Sequence, residues 1–224
     1  MDAIICDLPY GTTRNPWDSV IPLEPMWEEY RRVCKENAAI VLFSQQPFTS
    51  TLVASNPKDF RYEWIWEKEF GSGFLNANRA PLKVHENILV FYRRLPTYNP
   101  IKRTGLAPYK RTMRSSDSTN YKDYHAVETV SNGERFPIDV LRYGRDNGGF
   151  HPTQKPVDLI KYLIRTYTNE GETVLDNCMG SGTTAVAAWH TNRHFIGFET
   201  NEEYHKKSLE RLKAEMAQQK LFTT

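Results

Sequence analysis

Asp7-Leu8-Pro9-Tyr10 is the tetrapeptide with the most chemistry in it. Its carboxylate ends a short apolar run, Ala3 to Cys6, which reads as a buried strand delivering a polar group at its C-terminal end. Ligands of α/β sheets bind at that end of the strands. Pro9 restricts Leu8 to an extended shape, so main-chain carbonyls turn outward as acceptors, and Tyr10 sets a flat face beside them. Two acceptors and one aromatic face suit a planar ring with an exocyclic amino group. The plain alternative is a proline turn with a surface aspartate and a packing tyrosine.

A second constellation runs from Val174 to Ala185: strand, glycine turn, helix start. Gly180 and Gly182 let the backbone approach a ligand closely, and free amides at the helix N-terminus attract a negative group. Gly180-x-Gly182-x-x-Ala185 also satisfies the dinucleotide fingerprint, and Glu199 follows where an acid would bind a ribose diol. The turn alone therefore does not separate NAD from another nucleoside cofactor. S-adenosylmethionine carries the same adenosine without a pyrophosphate, and its ammonium prefers an acid beside the turn, which Asp176 supplies. A tight strand-to-helix turn with nothing bound is the plain alternative.

Periodicity indicates what must position these groups. Strands are predicted at Ala3–Cys6, Ala38–Phe43, Tyr62–Trp66, Asn87–Tyr92, Thr173–Leu175 and His194–Phe198. Helices are predicted at Pro25–Asn37, Gln46–Ser55, Pro156–Tyr167, Gly182–His190 and Asn201–Gln219. Strand–helix alternation at both ends implies an α/β parallel sheet. From Arg94 to Phe150 the chain is rich in Tyr, Arg and Ser and poor in aliphatics, and it reads as an insertion.

At 224 residues the chain suits one large domain, or one domain with an insertion. Its longest apolar run, Ala38 to Phe43, is far short of the roughly 18 residues a spanning helix needs. Asp2 and Asp7 do not fit a signal peptide, so a cytoplasmic protein without a membrane partner is expected. Cys6, Cys34 and Cys178 form no CxxC and no Cys/His group with zinc spacing; reduced thiols and no metal are expected. A net charge of +2 permits a nucleic-acid partner without requiring one, so the placement of charge decides. Arg93, Arg94, Lys102, Arg103, Lys110, Arg111 and Arg114 follow one another with no acid between and with Tyr98 and Tyr109 interleaved, a composition suited to phosphate contact. Taken alone, such a run is better read as a solvated loop. His85-Glu86 reads as a strand start, and the charged C-terminal helix as a solvated face.

Taken together, Asp7-Leu8-Pro9-Tyr10, His151-Pro152-Thr153-Gln154-Lys155-Pro156 and Asp176 to Thr184 resemble the amino-group DNA methyltransferases in their permuted, beta-group order, catalytic motif first and cofactor motif last. The resemblance implies a Rossmann-like S-adenosylmethionine-dependent methyltransferase sheet. Its catalytic half would be residues 1–93, its target-recognition insertion 94–150 and its cofactor half 151–224. It implies double-stranded DNA as substrate, with a base flipped into the pocket, and a restriction-modification setting.

By that resemblance Asp7 accepts one N–H of the target amine, the backbone between Leu8 and Pro9 accepts the other, and Tyr10 stacks on the base. Asp176, Asn177, Gly180, Gly182 and Thr183 correspond to the methionine-binding turn and Glu199 to the ribose acid. Lys155 is available to the cofactor carboxylate, Ser44 occupies an adjacent cofactor-facing position, and the basic run falls where the target is recognised.

The chemistry is intelligible on its own terms. An aniline-like amine is a poor nucleophile because its lone pair is delocalised; two N–H bonds to acceptors favour a pyramidal nitrogen and oppose the developing positive charge. In-line attack then needs mainly positioning, for which proximity supplies roughly 7–11 kcal/mol. Direct transfer is expected, with no metal and no covalent enzyme intermediate. The leading Asp favours adenine N6 by family habit, where Ser often marks cytosine N4. Cytosine N4, an RNA base and a catalytically silent DNA-binding module of the same fold are the alternatives; an NAD oxidoreductase lacks a hydride-transfer acid. Leu8 stands where Pro is commonest, which keeps the carbonyl, and Cys178 stands where Phe is usual, which implies looser cofactor packing. Family members carry a strand and helix ahead of the first motif, so the adenine side of the cofactor pocket is expected to be incomplete, or to be completed by an upstream segment, a homodimer or a partner subunit.

Overall fold

The computed structural model describes residues 1–12, 18–113, 127–146 and 154–221, with residues 113, 127 and 219–221 described by backbone alone. Arg114, His151, Pro152 and Thr153 therefore lie outside the described residues. Two compact units are present: residues 1–99 with 139–224, and residues 100–138. The smaller lies inside the segment expected as an insertion.

The larger unit is built on a seven-stranded sheet. Its strands are β1 (Ala3–Asp7), β2 (Ala39–Ser44), β3 (Phe60–Ser72), β4 (Lys83–Phe91), β7 (Val140–Arg142), β8 (Thr173–Asp176) and β9 (His194–Gly197). They lie in the order β7-β3-β4-β2-β1-β8-β9. Strands β1, β2, β8 and β9 are parallel to their neighbours among themselves. The sheet is mostly parallel, with one antiparallel strand: β4 runs antiparallel to both its neighbours, β2 and β3. Only a single 3-10 turn, Phe74–Asn76, lies in the link between β3 and β4, too little chain for a parallel crossover, so they pair antiparallel. Strand β7, which has no sequence signal of its own, pairs parallel to β3.

Helices cover both faces. On one side α1 (Leu23–Val33) contributes Met26, Trp27 and Tyr30, and α2 (Phe48–Ser55) contributes Phe48 and Leu52; these pack on Ile4, Cys6, Leu42, Leu89 and Phe91. On the other, α3 (Val157–Tyr167) presents Leu159, Ile160, Leu163, Ile164 and Tyr167, a helical-period stripe, to Ile5, Val41, Phe43, Ile88 and Val174. Helix α4 (Thr183–His190) joins that layer through Ala187 and Ala188. Helix α5 (Glu202–Leu221) follows β9. Among the described residues no helix is long and apolar enough to cross a membrane.

Connectivity places the working end. The chain leaves β1 through α1 to β2 on one side, and leaves β8 through α4 to β9 on the other. The winding therefore reverses between β1 and β8, and a crevice opens beyond their C-terminal ends.

In the smaller unit β5 (Tyr109–Met113) and β6 (Val127–Ser131) form an antiparallel pair, and Arg103 and Arg135 make a further bridge.

Candidate active site

Asp7 and Asp176 are the last residues of the two strands that flank this crevice. A cleft of ≈ 530 Å³ opens above them, within the roughly 300–1,000 Å³ of small-molecule sites. It is lined by Asp7, Leu8, Pro9, Tyr10, Lys155, Asp176, Asn177, Gly180, Thr183 and Glu199, so both motifs meet in one place. Phe43, the register partner of Asp7 on β2, lines it as well.

The Asp7 turn is held by a residue that sequence reasoning missed. Asp18 accepts three backbone N–H bonds, from Tyr10 at 2.8 Å, Gly11 at 2.8 Å and Thr12 at 2.9 Å. An aspartate that caps a turn lying several residues before it leaves no fixed spacing to recognise. Tyr10 stacks on Phe48 at 5.6 Å between centroids, and its hydroxyl donates to Asp7 Oδ1 at 2.6 Å. Lys155 Nζ donates to the other oxygen, Oδ2, at 2.5 Å. Burial raises the pKa of Asp7, the Lys155 ammonium opposes that rise, and Glu86 adds to it.

Lys155 lines the cleft and places its ammonium against Asp7 and, at 3.3 Å, against Glu86 Oε2. Ser44 is fully buried, does not line the cleft, and accepts a hydrogen bond from Thr49 Oγ1 at 3.0 Å. Strand alternation is the reason: Val41 and Phe43 share the face toward α3 and the cleft, which turns Leu42 and Ser44 the other way.

The glycine turn is knit together by its own acids. Asp176 accepts Cys178 N at 3.0 Å and Thr184 Oγ1 at 2.6 Å; burial lifts its pKa to about 6 against those bonds. Glu199 accepts Gly180 N at 2.9 Å and Asn201 N at 2.8 Å, and Asn177 Oδ1 accepts the Tyr30 hydroxyl at 2.6 Å. Gly182 has φ +71°, and a Cβ there would meet Ser208 Cβ of α5 at 2.8 Å. Its missing side chain thus admits a helix. Arg211, also on α5, donates to Ser181 O at 3.1 Å and Thr183 Oγ1 at 3.0 Å, so one face of the expected solvated helix clamps the turn.

This donor set fits S-adenosylmethionine. Asp176, 4% exposed, is a buried carboxylate whose charge lacks a cationic partner among the described residues, and it suits a cationic ligand. Glu199 lines the same cleft, and its carboxylate could accept from a diol.

The basic residues are partly neutralised. In the larger unit Arg94 pairs with Glu36 at 2.9 Å, and Arg93 Nη2 donates to Cys34 O at 3.5 Å. In the smaller unit Lys102 pairs with Glu134 at 2.7 Å and Lys110 with Glu128 at 2.8 Å, because strand pairing brings later acids opposite. Arg103 Nε donates to Phe136 O at 3.2 Å; Arg111 has no ion pair with a described residue.

Known proteins share this plan. The type II methyltransferase M.HpaI of Haemophilus parainfluenzae is 29% identical over 225 residues, 96% of this chain and 69% of that protein. The DNA adenine methyltransferase YhdJ of Escherichia coli is 27% identical over 228 residues, 95% and 76% of the two. The M1.HpyAVI–SAM complex superposes with a TM-score of 0.64 at 24% identity, covering 94% of this chain and 88% of that one. The cytosine-N4-specific PvuII DNA methyltransferase also gives 0.64, at 14% identity, covering 93% and 78%. These two structures share the fold. The DNA methylase model of the N6/N4 class matches residues 1–210, from the strand that carries Asp7 through the glycine turn and well into α5, and the chain belongs to that family.

Proposed function

We propose that the chain is an adenine-N6 DNA methyltransferase, using S-adenosylmethionine and acting on a base flipped into the cleft above β1 and β8. The observation that carries this reading is the meeting of Asp7 and Tyr10 with the Asp176–Thr183 turn in one cleft at the reversal of the sheet. The adenine preference draws on the leading carboxylate of the first motif and on the adenine methyltransferase among the relatives.

S-adenosylmethionine supplies an electrophilic methyl group on a sulfonium centre. Asp176, Asn177, Gly180, Thr183 and Glu199 hold that cofactor, with Gly182 shaping the turn from beneath. Asp7 accepts one N–H of the target amine. The carbonyl preceding Pro9 accepts the other, and Tyr10 faces the base. The chain's residues thereby orient the amine and oppose its developing charge.

Incubation with methyl-labelled cofactor and mixed-sequence duplex DNA tests the reading: label on N6-methyladenine is expected. Label on N4-methylcytosine reverses the base, a second reading that rests on the chemical equivalence of the two amines; label on RNA alone, or none, overturns the function. Arg93, Arg94, Lys102, Arg103, Lys110 and Arg111 belong to the same proposal as phosphate-binding residues. Replacing Arg103 and Arg111 with Gln should lower the slope of log affinity against log salt by about one for each phosphate no longer neutralised; an unchanged slope removes them from the interface. A second subunit completing the pocket is tested by mass: a cofactor-bound dimer supports it and a cofactor-saturated monomer overturns it.

A further inference from the structure

Four charged side chains alternate along one wall of the cleft: Asp7, Lys155, Glu86 and Lys68. They come from separate places in the sequence, and all but Asp7 are nearly closed to solvent, with side-chain exposures of 9% for Lys155, 11% for Glu86 and 10% for Lys68. Nothing in the transfer as described above uses Glu86 or Lys68, yet both line the cleft.

The arrangement poses a problem for the reaction. Both oxygens of Asp7 are engaged, Oδ1 by the Tyr10 hydroxyl and Oδ2 by Lys155. An ammonium held on Asp7 also opposes positive charge developing on a nearby nitrogen. Lys155 must therefore yield, but a buried ammonium left without a carboxylate is costly. Glu86 answers this. Its Oε1 accepts Lys68, while Oε2 is buried, lies 3.3 Å from Lys155 Nζ and accepts no hydrogen bond from a described residue. Closing that gap to an ordinary charged hydrogen bond takes a movement of only about half an ångström. Lys68 is itself held over the Trp66 ring at 4.9 Å, so it keeps Glu86 in place.

We propose that Glu86, backed by Lys68, is a positioning residue that takes the Lys155 ammonium from Asp7 as the target amine enters, leaving Asp7 to accept the amine. This rests on the methyltransferase reading above. Glu86 stays ionised in the free enzyme: burial works to raise its pKa, but Lys155 and Lys68 hold it below the ordinary carboxylate range. The charged and titratable groups about Asp7 are Tyr10, Lys155 and Glu86, with Asp176 ending the adjacent strand; Lys68 backs Glu86, and Arg145 and Asp18 line the same cleft.

Two substitutions separate this role from a structural one, because they move the acid limb of the pH profile of kcat/KM in opposite directions. Glu86→Gln removes the charge that raises the Asp7 pKa and leaves Lys155 to Asp7 alone. The limb should move to lower pH while kcat falls at least about tenfold, with cofactor affinity held within about twofold. Lys68→Met leaves Glu86 with Lys155 as its sole cation and removes positive charge, so the limb should move to higher pH. Shifts of about half a pH unit or more are expected. Glu86→Asp keeps the charge and should keep the wild-type limb with reduced kcat, and it serves where Glu86→Gln fails to fold. Label transfer by the wild-type protein with limbs that stay put, or that move the same way in Glu86→Gln and Lys68→Met, overturns the handoff alone. A wild type that transfers no label overturns the function and the handoff together.

Discussion

Gly182→Ala tests whether the glycine turn is shaped by packing or by a ligand. An alanine at φ +71° incurs about 1–2 kcal/mol for the left-handed conformation. Its Cβ would also stand 2.8 Å from Ser208 Cβ, an atom fixed to the α5 backbone, and overpacking of that kind costs about 1–3 kcal/mol. The sum is about 2–5 kcal/mol, or a fall in Tm of roughly 5–20 °C at this chain length. Ser208→Gly removes the atom in the way. Alone it should cost about 1–2 kcal/mol, from helix propensity and from the bond its hydroxyl donates to His205 O at 2.7 Å. The double variant should therefore be more stable than additivity allows, by about 1–3 kcal/mol. Urea unfolding of the four proteins without cofactor measures this cycle. Strict additivity, or a Gly182→Ala protein as stable as wild type that merely binds cofactor poorly, would refute the packing argument and return the glycine to the ligand.

Three further outcomes are expected. Asp176 has a folded pKa of about 6 against an ordinary 3.8, so the native state binds its proton more tightly and wild type loses up to about 3 kcal/mol as pH rises from about 4 to about 6. Asp176→Asn lacks that loss, so unfolding across this window should show its stability gaining on wild type while cofactor affinity falls; parallel pH curves would contradict the burial argument. Ser44→Ala should cost about 1 kcal/mol through the Thr49 hydroxyl left behind, with cofactor affinity unchanged by calorimetry. Asp18→Ala strips three backbone donors of their acceptor and should lower kcat more than tenfold while the rest of the sheet keeps its amide protection by hydrogen exchange.

How much of the molecule is legible in its sequence depends on whether the signal is local. β1, β2 and β8 are short apolar runs ending in a polar residue, and α3 carries its buried stripe at helical spacing, so their type and place follow from periodicity. Strand β7 has three residues and no period, and only pairing with β3 makes it a strand. The basic run from Arg93 looks free of acids because the acids that meet it, Glu36 before it and Glu128 and Glu134 after it, lie far off in the sequence. Ser44 departs from its expected place by one residue of strand phase, the smallest error that reverses a side chain's face. Lys155 is legible as a functional residue but its partner is not, since no motif states which acid an ammonium meets, and Asp7 lies 148 residues away in the chain.

The two aspartates that end β1 and β8 show how similar positions acquire different work. Each is a carboxylate set into the same cleft, and burial raises the pKa of both. Asp7 faces a full positive charge, Lys155, which opposes the rise that burial and Glu86 cause. Among the described residues Asp176 is met by dipoles, a backbone N–H, the Thr184 hydroxyl and the Cys6 thiol, and is left titrating near 6. A cationic ligand therefore gains more by approaching Asp176 than Asp7, whose charge is already answered. Under the proposed function, that difference sorts a cleft with two acids into a cofactor side and an amine side. The proposed handoff then requires a movable lysine: the charge that faces Asp7 before the base arrives is the one that would oppose the amine afterwards.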